Sequence, residues 1–452
     1  MKAWQPTALA LAVALAVPLA FPGAAHAQSA ADLAKELEAM KARIAELEKK
    51  LNAATAPGAT RPQWGMTPEQ VSEFNRIAVK TESLEDQRDA LGFKGLKISG
   101  VIDPVILWNR NQNRFGAQFL SNAADDGYYY DNSYMGMAIL DIQKEMDDGT
   151  RWRLTLAPNR GAGAFANGGS VIHEASVSVP LTGDKLRLLA GQLPDWSGYE
   201  FLPANQNKLI THNLLFDLTL PTTYTGAGLE WATGDLVVKS MVGNMNAAKR
   251  PNNNRRPMLA VRADYARGEF SGLGAAGVVG YATNFNDPDL NATQVSLFEV
   301  DGYFTRGDWT FMGQASVGNQ KKASITPDPL TGEFRDSAWW GLSGLAAYKL
   351  SPRLEAIARL DYLHNKKNGG GLLGYTLADD RNGIGPDPLG DPEIGANRTA
   401  LSLGLGYLFN ETTTLKVEYR LDRANLPVFL VVKDGSYSKS NQVLGTSVVV
   451  SF

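Results

Sequence analysis

Leu415-Lys416-Val417-Glu418-Tyr419-Arg420-Leu421-Asp422 alternates apolar and charged side chains without a break. Successive side chains of an extended strand point to opposite faces, so this stretch makes one face wholly apolar and the other wholly charged. Leu354, Ala356, Ala358, Leu360 and Tyr362 alternate in the same way with Glu355, Ile357, Arg359 and Asp361, Ile357 being the exception on the charged face. A soluble sandwich would turn the apolar face inward to a core. A transmembrane barrel turns it outward to lipid and lines its interior with the polar face.

The connections between such stretches separate the two arrangements. Sixteen strand candidates begin near residues 95, 132, 150, 172, 184, 223, 235, 256, 272, 295, 308, 338, 353, 397, 412 and 441. After the even-numbered candidates the links are tight and made of turn formers: Asp147-Asp148-Gly149, Thr182-Gly183, Thr233-Gly234, Arg267-Gly268, Arg306-Gly307, Ser351-Pro352 and Asn410-Glu411. After the odd-numbered ones they are long: 108–131, 158–171, 194–222, 246–255, 285–294, 320–337, 365–396 and 424–440. A bacterial barrel sorts its connections by parity, with short periplasmic turns and long outer loops. The fold expected is an all-β membrane protein, a 16-stranded antiparallel transmembrane β-barrel (range 14–18) over residues 95–452. Val428 to Lys433 reads either as a further strand or as a loop ribbon.

Aromatic residues gather near strand ends, at Trp108, Tyr128 to Tyr130, Tyr134, Trp152, Trp309, Trp339-Trp340, Tyr407 and Phe409, as interfacial girdles would require. The last strand, Gln442 to Phe452, stops at a terminal aromatic, an ending that resembles the signature read by the barrel-assembly machinery.

The N-terminal part has a different period. Lys2, the apolar run Thr7 to Phe21 and Ala25-His26-Ala27 form a secretory signal with its cleavage site, placing the mature start near Gln28. Leu33, Leu37, Met40, Ile44, Leu47 and Leu51 follow the spacing of an a/d seam, so residues 28–53 are expected to form a periplasmic α-helical coiled coil. A single amphipathic helix packed on the body is the other reading. Residues 54–94 read as a linker and a short polar helix, with Thr67 as N-cap, Pro68 at the first helical position and an end near Ala90.

Composition removes several functions. The 452 residues contain no cysteine, which excludes disulfides, thiolate metal sites and a cysteine nucleophile. A net charge of -3 gives no signal for a nucleic-acid partner. No Ser elbow or H-E-x-x-H motif occurs, and His173, His212 and His364 stand apart from one another, so no enzyme, cofactor or metal site is expected.

Sixteen strands leave an aqueous channel where eight would be filled by side chains. The strand-borne charges expected to line it are Arg151, Arg153, Arg187, Arg262, Asp264, Glu355, Arg359, Asp361, Lys416, Glu418, Arg420 and Asp422, together with Glu230. Such rows either filter solutes electrostatically or neutralise one another and stiffen the wall. The third long loop, Pro194 to Thr222, couples a polar half to the apolar Leu214-Leu215-Phe216-Asp217-Leu218. It reads as an inward-folded constriction presenting Asp195, Glu200 and Lys208, or as a subunit contact, or as an extension of the wall.

Leu189-Ala190-Gly191-Gln192-Leu193-Pro194, Gly198-Tyr199-Glu200 and Tyr224-Thr225-Gly226-Ala227-Gly228 occur in the order seen in a known family. Over residues 186–231 the chain resembles the OmpL-like beta-barrel porins of Gram-negative bacteria. The coiled coil ahead of a barrel is similar to phosphate-selective porins, but no lysine-rich loop is present, so that selectivity is not carried over. The resemblance implies a homotrimer in the cell outer membrane, in contact with lipid and lipopolysaccharide, that passes small hydrophilic solutes or ions by diffusion. An envelope tether or a solute-specific receptor using the coiled coil are the alternatives.

Overall fold

In a computed structural model of the chain, the described residues are 67–90, 92–120, 135–158, 171–183, 185–248, 256–284, 291–373 and 378–452, with positions 38, 41 and 45 singly. The signal over 1–27, the coiled-coil seam and the linker up to Pro62 lie outside the described residues. Helix α1 (Pro68–Ala90) opens at Thr67, whose N–H donates to Gln70 Oε1 at 2.9 Å while the Gln70 N–H donates to Thr67 Oγ1 at 3.3 Å. This reciprocal capping satisfies N–H groups that the first turn leaves without helical partners. Residues Gly92–Phe452 form a separate compact unit.

That unit is a sheet closed on itself. Its strands are β1 (Leu96–Ile102), β2 (Val105–Asn109), β3 (Arg114–Gln118), β4 (Ala138–Glu145), β5 (Arg151–Leu156), β6 (Ile172–Thr182) and β7 (Leu186–Pro194). Then follow β8 (Thr223–Thr233), β9 (Leu236–Met245), β10 (Met258–Ala266), β11 (Ser271–Thr283), β12 (Ala292–Arg306), β13 (Trp309–Gln320) and β14 (Ser337–Ser351). The remainder are β15 (Leu354–His364), β16 (Arg398–Asn410), β17 (Thr413–Ala424), β18 (Phe429–Val431), β19 (Ser436–Ser438) and β20 (Ser440–Ser451).

Every pairing is antiparallel between neighbours, and β20 closes the ring by pairing with both β1 and β2. β1 and β2 form the first stave, interrupted at Asp103-Pro104, where the proline has no N–H to give to a ladder. β3 pairs with β2 and β4 with β1, so these two together make the second stave. The result is a closed 16-strand barrel. Closure is tight at its seam. The Gly100 N–H donates to the Phe452 carbonyl at 3.0 Å, the Phe452 N–H returns a bond to the Gly100 carbonyl at 3.1 Å, and a Cβ on Gly100 would run into the Phe452 ring.

Two expectations are corrected and one open alternative is decided. The first long link, 108–131, is instead a tight turn over Arg110–Asn113, after which β3 returns, and the second stave is divided between β3 and β4. The backbone N–H groups of Gly136 and Met137, just ahead of β4, donate to the Asp103 carboxylate. Residues near Val428 form a loop ribbon, because β18 and β19 pair only with each other. Trp339 does not join a girdle but points inward, with 2% of its surface exposed, while Trp340 faces out and stacks near Tyr362 and His364.

The outer face is an exposed apolar band that includes Ile98, Val242, Leu273, Val279, Leu342, Leu360, Leu403 and Leu444. Trp231, Tyr265, Phe304, Trp309, Phe311, Tyr407, Phe409 and Phe452 are exposed toward its short-turn end. Water does not favour so continuous an apolar surface, whereas lipid does. The buried apolar clusters lie on the inner side, between the barrel wall and the loop 195–222.

Candidate functional site

The loop 195–222 leaves β7 and returns on β8 after running through the barrel interior. Irregular backbone away from water needs a partner for each N–H and C=O. Here the inward charges of the strands supply them. Lys416 Nζ donates to the carbonyls of Ala204 and Asn207 at 2.6 Å each and of Leu209 at 3.2 Å. Glu418 accepts the N–H groups of Ile210 and Thr211 at 2.8 Å and the Thr211 hydroxyl at 2.6 Å. Arg359 donates to the carbonyls of Thr211 at 2.7 Å and His212 at 2.8 Å, and Arg420 to that of His212 at 2.7 Å. The charged face of the alternating β17 stretch is therefore the seat of the loop.

The loop's own side chains complete the fit. Glu200 meets Arg359 at 2.8 Å and accepts the Asn213 N–H at 2.6 Å. Burial pushes its carboxyl above the usual range, with the Arg359 guanidinium working against that rise. The Tyr199 hydroxyl bonds Ser343 Oγ, which donates to Asp361 at 2.7 Å. Asn213 caps the short helix α2 (Leu214–Leu218) by accepting the N–H groups of Leu215 and Phe216. Leu214, Leu215 and Leu218 then bury themselves in a cluster with Trp339, Leu363 and Tyr224. At the root, Asp195 accepts the Tyr224 hydroxyl at 2.5 Å and the Ser197 N–H at 2.9 Å, and burial raises its pKa. Ile357, the apolar exception on β15, packs with Tyr199 and Leu209.

These contacts sort the residues singled out in the sequence. Arg359, Asp361, Lys416, Glu418, Arg420 and Asp422 face inward but are at most 5% exposed, held beneath the loop or, for Asp422, between Arg420 and Arg398. Glu200 is buried with it and Asp195 is half-buried at its root, and Lys208 reaches Glu355 at 2.7 Å with both partly exposed. This pair lines a cavity of about 410 Å³ together with Asn205, Asn207, Lys416 and the turns at 351–353 and 411–412. Arg187 is also buried, donating to Ser178 and to the Gly149 carbonyl and so tying down a short turn. Arg151 pairs with Glu145 at 3.1 Å in the open.

The loop's contacts fall mostly on β12–β17, β20, β1 and β2. Across β4–β10 four inward charges keep more of their surface, whereas Asp141, Glu174, Arg187 and Arg262 are buried. Arg153 is 42% exposed, Asp264 39%, Lys239 32% and Glu230 26%. Arg153 donates to Asp141 at 2.8 Å and lies 3.5 Å from Glu174. Arg262 crosses β11 to reach Asp301 on β12 and also contacts Asp264 and Glu299. Gly274 makes that crossing feasible, since a Cβ there would occupy the place of the Arg262 guanidinium. Asp141, Glu174, Lys239, Glu299 and Asp301 were not among the expected site residues. Their signal is a polar residue at alternate positions of otherwise apolar stretches, as in Leu297-Phe298-Glu299-Val300-Asp301.

Among solved structures the barrel is similar to OmpT (in-vitro folded), an outer membrane protein of Vibrio cholerae, at 12% identity and a TM-score of 0.50, covering 79% of this chain and 97% of that one. It also matches an anion-selective porin from Comamonas acidovorans at 10% identity, covering 79% and 99%, with a TM-score of 0.49. A Salmonella typhi OmpF complex with daunomycin matches at 14% identity, covering 79% and 97%, with a TM-score of 0.46. At such identities the likeness to the first concerns the fold alone. No curated protein matches the chain. Residues 95–452 match the family described as "Putative beta-barrel porin-2, OmpL-like", and the chain belongs to that family.

Proposed function

We propose that this protein is an outer-membrane diffusion channel that passes small hydrophilic solutes or ions and carries no catalytic activity. The observation that carries the reading is the 195–222 loop. It is seated on one half of the inner wall of a closed barrel, while charges on the other half stay in contact with solvent. Solutes pass between the loop and that open wall, selected by width and by wall charge. Short turns and both ends of the barrel face the periplasm, long loops face outward, and the apolar band sits in lipid with lipopolysaccharide outside.

Further parts of the proposal concern assembly. Residues 1–27 direct export, residues 28–53 form a periplasmic coiled coil, the protomers associate as a homotrimer, and the C-terminal Phe452 is read by the barrel-assembly machinery. The test is planar-bilayer recording on the purified, folded protein, where discrete conductance steps are expected and their absence overturns the channel. Deleting residues 28–92 tests the coil, whose role in assembly is refuted by a fully trimeric truncated barrel.

A further inference from the structure

The inner wall divides into two halves that differ in how far their charges are covered. On the loop's side, the cations Lys208, Arg359, Arg398, Lys416 and Arg420 lie among the carboxylates Glu200, Glu355, Asp361, Glu418 and Asp422, and the further acids Asp103 and Asp195 accept from backbone N–H groups and the Tyr224 hydroxyl. Most of these groups are buried, and Arg359, Lys416, Glu418 and Arg420 are spent on loop backbone, so they present little field to the water.

The open half is not balanced. Register places its charges on one face: Asp141 opposite Thr155, which is opposite Glu174, and Glu230 opposite Lys239, which is opposite Arg262. Arg153 is shared by Asp141 and Glu174. Lys239 lies 3.6 Å from Glu230. Arg262 is shared by Asp264 and Asp301. Even leaving out Glu299, which is wholly buried, the cations Arg153, Arg187, Lys239 and Arg262 are outnumbered by Asp141, Glu174, Glu230, Asp264 and Asp301. The surplus is carboxylate, and Asp264 and Glu230 are its most exposed members.

An excess charge in a water-filled space with low-dielectric walls acts over the whole cross-section, because field lines are focused and a Debye length of about 8 Å screens little across a narrow gap. We infer that the pore prefers cations to anions, and that the carboxylates of β4–β12, with Asp264 and Glu230 foremost, set that preference. The inference rests on the channel reading above.

The experiment is the reversal potential of the full-length protein in a planar bilayer under a KCl gradient. The expected potassium-to-chloride permeability ratio is above unity. It falls toward unity in the double variant Glu230→Gln/Asp264→Asn and rises in Arg153→Gln, each checked for folding by heat-modifiable gel migration. Steps with a ratio at or below unity, or a ratio that neither folded variant moves, overturn the cation preference and leave the channel standing. No steps from folded protein overturns the channel reading itself, and the preference with it.

Discussion

Arg359 of β15 and Glu200 of the inserted loop form an ion pair of 2.8 Å in which neither side chain has more than 4% of its surface exposed. Taking both charges out of water is costly, so the pair is stable only because the guanidinium's other N–H groups and the second Glu200 oxygen are bonded as well. Arg359 also serves two loop carbonyls and Asp361, and Glu200 also accepts the Asn213 N–H. The pair holds the loop in place by making any other position for it leave a charge unpartnered.

Arg359→Ala should therefore release the loop more than its lost contacts suggest. It leaves Glu200 buried without a counter-charge, frees the carbonyl of Thr211 and leaves that of His212 to Arg420 alone, a change worth about 3–5 kcal/mol. The expected result is a larger and noisier single-channel conductance and faster proteolysis within residues 195–222. Arg359→Lys should restore little, since an ammonium cannot reproduce the planar fork that reaches Glu200 and two carbonyls together. Wild-type conductance in Arg359→Ala would refute the anchoring role.

Acidification should loosen the same loop through His212. Burial drives its pKa down from 6.5 to about 3, with Arg359 and Lys416 adding to the drop and the bonds and charges of the Phe201 carbonyl and Glu418 opposing it. A group whose seated pKa is depressed binds its proton in the released state first. Between about 6.5 and 3 the released state then holds more protons, and the seated loop loses about 1.4 kcal/mol per pH unit as pH falls. Glu200 and Asp195 have values raised by burial and act in the opposite sense. The His212 contribution is isolated by comparison with His212→Asn: the difference in proteolytic release between the two proteins should grow as pH drops below 6.5 and vanish above it.

How far the sequence could be read follows from which quantities are local. Alternation on β15 and β17 and the parity of turn lengths are local, and they suffice for a barrel with its charges inward. What covers those charges is not local. Nothing in Lys416 or Glu418 announces that their partners are backbone groups more than two hundred positions away. Ile357 breaks the pattern of its strand because Leu209 and Tyr199 lie against it, and Trp339 turns inward because α2 offers it a buried neighbour. The first stave misled for a related reason. Arg110–Asn113 makes a turn without a Gly or Pro, Asn113 supplying the positive φ of 50°, so nothing in the local sequence marks the return of the chain there.

Neighbouring positions on β15 should respond oppositely to charge. Leu360 points outward and is 58% exposed, next to the buried Arg359. Leu360→Arg places a guanidinium in hydrocarbon and is expected to destabilise the barrel by about 2–4 kcal/mol near the membrane midplane. The measurement is guanidinium-induced unfolding in lipid vesicles. An unchanged midpoint would mean that this face does not contact lipid.

The seam between first and last strands offers a test by coupling. A Cβ at Gly100 would meet the Phe452 ring and also the Ile139 carbonyl. Gly100→Ala should cost about 1–3 kcal/mol, since the ring and the β4 backbone must both move. Phe452→Ala alone should cost less in vitro, because the ring is 61% exposed and contributes chiefly by covering Gly100. In Phe452→Ala the second substitution meets only the Ile139 carbonyl, so the double variant should be more stable than the sum of the single effects predicts. Residues in contact couple by about 0.5–3 kcal/mol in such cycles, and a coupling below that range would show that the ring does not close the seam.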